Sequence, residues 1–139
     1  MFFRDSELDR ITSFLRDGYA IEDVESRGSL ERIRGAVVTA ASDFLDVTPP
    51  ADHGRFLESI GDLVGAERLN ALRLRIIHRL MDSDWFRDAY FACGRTLLET
   101  LIGNELAMQR SIGLSIQLPD DDSSLLPLHS DAWSEDSPF

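Results

Sequence analysis

The chain has 139 residues, 43% of them hydrophobic, and carries 25 acids against 14 basic residues for a net charge of -11 at pH 7. That suits one soluble globular domain able to bury a core, and the acidity argues against a nucleic-acid partner, which needs a basic face. There is no run of about 18 apolar residues to span a membrane and no secretory signal in "MFFRDSELDR", and the single cysteine, Cys93, excludes an internal disulfide, so a cytoplasmic protein is expected.

From Ser6 to about Leu106 the pattern is helical. Ser6 is a plausible N-cap, Leu8, Ile11, Phe14 and Leu15 share a face, and Gly18 is the stop. "YAIEDV" alternates weakly, as a short edge strand would. Ser29 caps a second helix in which Leu30, Ile33, Val37, Ala41 and Phe44 recur at helical spacing, and the prolines of "DVTPPADHG" break it. A short helix around Phe56, Ile60 and Leu63 follows. "AERLNALRLRIIHRLM" then sets Leu69, Leu72, Ile76 and Leu80 on one stripe with arginines opposite. Ser83 or Asp84 caps a further helix with Phe86, Tyr90, Cys93, Leu97 and Leu101 as its buried stripe, ended by Gly103.

The period then changes to two. Ile112, Leu114, Ile116 and Leu118 fall on one face and Gly113, Ser115 and Gln117 on the other, which predicts a strand ended by Pro119. After "DDDSS", the segment "LLPLHSD" puts Leu125, Pro127, His129 and Asp131 on one face by parity. The layout expected is α+β: a helical region over 1–106, then the first strands of a β domain over 107–139. All 14 basic residues are arginine and precede Ser111, whereas the remainder holds Asp120, Asp121, Asp122, Asp131, Glu135 and Asp136 without a base.

His129 and Asp131 are the sharpest chemical pair. Two apart on an extended segment, an imidazole and a carboxylate project to one side and can meet one cation, as two members of a 2-His-1-carboxylate triad do for non-haem Fe(II). The bland reading is a solvated turn with Asp131 as a local cap. His53 lies in the proline-rich break and is expected at the surface; His78 sits on the arginine-bearing helix, and neither is a natural third ligand. Cys93 reads as a buried structural thiol. The three adjacent aspartates read as a solvated charge cluster. Trp133 is a candidate substrate platform, although covering a sheet edge suits it better. No glycine-rich phosphate loop, G-x-S-x-G or H-E-x-x-H is present.

As a block, "LSIQLPDDDSSLLPLHSDAWSEDSPF" resembles the iron and 2-oxoglutarate-dependent oxygenase-like proteins of bacterial carbohydrate-biosynthesis clusters, the streptomycin-biosynthesis type included, which are relatives of the phytanoyl-CoA dioxygenases. The resemblance extends loosely into "ERLNALRLRIIHRL". It implies a double-stranded β-helix (jelly roll) preceded by helices, with Fe(II) and 2-oxoglutarate as cofactors. It also implies a sugar, aminocyclitol or other small polar metabolite as substrate. His129 and Asp131 then correspond to the first two iron ligands, with Gln117 a candidate cofactor contact and Trp133 a candidate substrate contact. Nothing in the sequence matches the family's distal histidine or its basic residue for the 2-oxoglutarate carboxylate, and Glu135 stands where the pattern has glycine. The resemblance therefore implies the N-terminal portion of such an oxygenase, inactive alone. The alternative is a non-enzymatic helical module with an acidic, flexible tail that binds a partner protein.

Overall fold

The computed structural model describes residues 4–103, 105–108 and 111–118. All regular structure among them is helical: α1 (Asp5–Asp17), α2 (Arg27–Leu45), α3 (His53–Glu58), α4 (Ile60–Leu63), α5 (Ala66–Met81), α6 (Phe86–Ala92) and α7 (Arg95–Ile102). The α+β, jelly-roll expectation is thereby corrected. Residues 112–118 join no β-ladder among the described residues, and neither do Tyr19–Val24, the suggested edge strand, which are exposed throughout. The alternation in 112–118 is nevertheless real in burial. Ile112, Leu114, Ile116 and Leu118 are half-buried while Gly113, Ser115 and Gln117 are exposed. A period of two reports which side of a chain is covered; it does not supply a neighbouring strand, and here the covering comes from helices.

The contacts fall into two units, one made of the chain up to Arg32 with Arg87–Met108, the other of Ile33–Phe86 with the segment following Met108. The second unit holds the core. Val38, Val64 and Leu72 are fully buried there, with Ile76, Leu80 and Phe86 nearly so. The amphipathic stripe of α5 accounts for three of these: Leu72, Ile76 and Leu80 recur at helical spacing and face inward, and Leu69 packs at their edge. Ala40 and Ala41 bring α2 into the same cluster through small, buried side chains. Ile112, Leu114 and Ile116 pack against the same cluster. At the end of α2, Arg68 stacks its guanidinium 4.8 Å from the centroid of Phe44, covering a half-buried ring with an amphipathic cation. Asp46, at φ 57, terminates α2 in the left-handed region that aspartate tolerates better than most side chains.

The caps decide where the helices begin, and two differ from the sequence reading. α2 starts three residues earlier than expected because the Ser26 hydroxyl accepts from the Ser29 amide at 3.3 Å and donates to the Ser29 hydroxyl at 2.8 Å. α1 is capped at Arg4, and Ser6 lies inside its first turn. Glu7 turns its carboxylate back to accept the Arg4 amide at 2.7 Å, which satisfies a donor that has no partner within the helix. Gly18 ends α1 as expected, at φ 78, donating its amide to the Phe14 carbonyl at 2.8 Å.

In the first unit the single long helix expected over residues 84–102 is two helices, broken at Cys93 and Gly94. The break is held from a distance. The Glu25 amide donates to the Cys93 carbonyl at 3.0 Å, and the Glu25 carboxylate accepts the Thr96 and Leu97 amides at 3.1 and 3.2 Å. A carboxylate 71 residues away in sequence thus caps the N-terminus of α7, where the exposed amides and the helix dipole favour negative charge. The hydrogen bond from the Thr96 amide, with help from the Leu97 amide and the charge of Arg10 and against some desolvation, lowers the Glu25 pKa below its ordinary 4.5. A lowered folded-state pKa stabilises the fold above the unfolded value and loses that contribution as pH falls through the folded one. The stability difference between the native chain and Glu25→Gln is therefore expected to be full at neutral pH and to shrink steadily below about pH 4.5. Urea unfolding at a series of pH values measures it, and a pH-independent difference would refute the carboxylate's role.

Candidate functional site

Of the residues singled out in the sequence, His129, Asp131 and Trp133 lie outside the described residues, as does the acidic run Asp120–Asp122. The others are placed. His53 opens α3 and is half-buried, not exposed as its proline-rich surroundings suggested. The Asp52 carboxylate caps that helix, accepting the Arg55 amide at 3.0 Å, which fixes the turn that carries the imidazole. His78 is exposed in the last turn of α5. Cys93 is half-buried at the break between α6 and α7, its thiol 3.3 Å from the Ala89 carbonyl, in keeping with a structural thiol turned onto the preceding turn. Among the described residues no group of three or more histidines, cysteines or acids converges as a metal site. No helix there is long and apolar enough to cross a membrane.

Gln117, the candidate cofactor contact, is exposed and lines a large cleft. This cleft, of about 820 Å³, lies within the second unit. Its floor is aliphatic: Val37 and Ala41 from α2, Leu57 from α3, Ile60 from α4 and Ile76 from α5. Leu114 and Ile116, the half-buried side of the segment 111–118, form a wall, and Ser115, Gln117 and Leu118 complete it. Leu118 comes so near α4 that a Cβ built on Gly61 would stand 2.8 Å from Leu118 Cδ2; glycine there permits the close approach.

The charged groups lining this cleft carry one sign. Glu58 and Asp62, four residues apart at the ends of α3 and α4, both line it and both are exposed. Among the described residues no arginine lines the cleft, and neither carboxylate is engaged by one. In sequence α3 and α4 read as one short helix around Phe56, Ile60 and Leu63, which gives this pair no cleft to belong to. The i,i+4 spacing of two acids flanking apolar positions was the available signal.

The smaller cleft, of about 510 Å³, belongs to the first unit. Phe91 and Leu106 line it with the exposed Tyr90, Leu98, Ile102 and Met108, and Arg87 and Asp88 place opposite charges at its edge.

Compared with known proteins, the chain matches no family model, and neither a curated protein nor a solved structure is significantly similar to it.

Proposed function

We propose that this chain serves an Fe(II)- and 2-oxoglutarate-dependent oxygenation of a sugar, aminocyclitol or other small polar metabolite, with His129 and Asp131 as two of the iron's ligands. The observation that carries this reading is the C-terminal sequence itself. His129 and Asp131 stand two apart, after "SIQLPDDDSSLLPL" and before "AWSEDSPF", in the order and context of the oxygenase-like family that the block resembles. A neutral imidazole nitrogen and a carboxylate oxygen are donors that Fe(II) accepts together, and they leave positions open for small ligands. Bound iron with 2-oxoglutarate would supply oxygen activation; the chain's own part is to hold the donors in place. Leu114 and Ile116, at the start of this block, pack against the helical core together with Ile112. Neither His53 nor His78 is assigned to the iron.

The full chain is expected to take up Fe(II) weakly under anaerobic conditions, more firmly with 2-oxoglutarate present, and His129→Ala and Asp131→Ala are each expected to abolish the uptake. Anaerobic titration followed by absorbance or calorimetry checks it. Equal uptake by the native chain and both variants would defeat the proposal.

One observation favours a second reading, a helical module that binds a partner protein. Apolar side chains stand far out of the fold: Ile21 at 87% exposure, Leu15 at 77%, Ile102 at 66% and Tyr19 at 64%. On that reading His129→Ala changes nothing measurable, so the same titration separates the two.

A further inference from the structure

The larger cleft combines an aliphatic floor with two carboxylates and offers no cationic side chain to neutralise them among the described residues. Apolar walls of this kind cannot ligate a metal ion, which needs several oxygen or nitrogen donors around it. They do favour hydrocarbon, whose transfer from water drives binding in proportion to the area covered. Glu58 and Asp62 sit at the solvent edge of that surface, where a positive group can pair with them and still keep part of its hydration. An anionic ligand would meet two like charges and gain no arginine in return.

We infer that this cleft binds an organic cation with an apolar body, a primary amine on a hydrocarbon chain or ring, with the body against Val37, Ala41, Ile60, Ile76, Leu114 and Ile116 and the ammonium between Glu58 and Asp62. None of the cleft's lining residues is a proposed iron ligand, so the two readings fail or hold separately. Its volume of about 820 Å³ falls in the range of small-molecule pockets, roughly 300–1,000 Å³.

Three probes of one length test it on the full chain: hexylammonium, hexanol and hexanoate, titrated by calorimetry or by NMR at low salt. Hexylammonium is expected to bind about tenfold more tightly than hexanoate, with hexanol between them, and added salt is expected to narrow the gap as the carboxylates are screened. In the double variant Glu58→Gln/Asp62→Asn, at two exposed positions, the ratio is expected to fall to about one while hexanol binding is unchanged. Gly61→Leu drives Leu118 from its place and is expected to weaken hexylammonium and hexanol alike, with helical circular dichroism showing that the fold is kept. Equal affinity for the ammonium and the carboxylate in the native chain would overturn the inference. So would a preference that survives the double variant, or the absence of saturable hexylammonium binding.

Discussion

Replacing Leu72 with alanine is expected to reduce stability by about 2–5 kcal/mol, the range for truncating a fully buried leucine whose surroundings close only partly around the gap. Leu72 is 0% exposed at the centre of the α5 stripe, between Val38, Val64 and Ile76 in the same cluster. Domain stabilities lie near 5–15 kcal/mol, so the loss takes a large share of the total. The internal control is two residues away. Leu74, on the same helix, is 41% exposed, and Leu74→Ala removes side-chain atoms that largely face water already. Its expected cost is within roughly 0.5 kcal/mol, as for most surface substitutions. Urea unfolding of both variants provides the measurement. Similar losses for the two would mean that α5 does not present the face described.

Ser42 provides the opposite sign. Its residue is 0% exposed on α2, and its hydroxyl has no hydrogen-bond partner among the described residues. A buried hydroxyl without a partner forfeits its hydration and receives nothing in exchange, a penalty of about 1–3 kcal/mol in mutational series. Ser42→Ala removes the oxygen and little volume, and is expected to raise stability by about that amount. Most core substitutions destabilise, which makes a gain here diagnostic. A loss on Ser42→Ala would overturn this account of an unpartnered hydroxyl.

These two residues also show how far the sequence can be read. The α5 stripe was legible because one helix, one period and one buried face coincide, and periodicity needs no knowledge of the rest of the fold. Ser42 was not: a serine between Ala41 and Asp43 looks ordinary until α2 is seen to bury that side. The break at Cys93 and Gly94 was invisible for a related reason. Residues 86–101 carry an acceptable helical stripe; Gly94 interrupts it with a non-helical φ of -151°, and the Glu25 carboxylate that caps the second half is a partner no local window contains. The segment 112–118 was read correctly for its alternation and wrongly for its architecture, since helices can cover an alternating segment as well as strands can. The acidic mouth of the larger cleft went unread because Glu58 and Asp62 acquire meaning only beside the aliphatic floor that α2 and α5 supply.

The tie between Glu25 and α7 bears on the order in which the molecule can form. During synthesis the first 32 residues emerge long before residues 87–108, the stretch with which they share a unit. Until then α1 has no partner for the half-buried Ile11 and Phe14, and an isolated helix of 13 residues is marginal in water. The intervening stretch is better provided for: Val38, Phe56, Val64, Leu72, Ile76, Leu80 and Phe86 all lie between residues 33 and 86 and belong to one cluster. That stretch can collapse first, and once it has, the loop that Glu25 must close is no longer a free coil. A nascent chain is thus expected to gain its middle before its beginning, with the early residues waiting, protease-sensitive, for Thr96 and Leu97 to arrive.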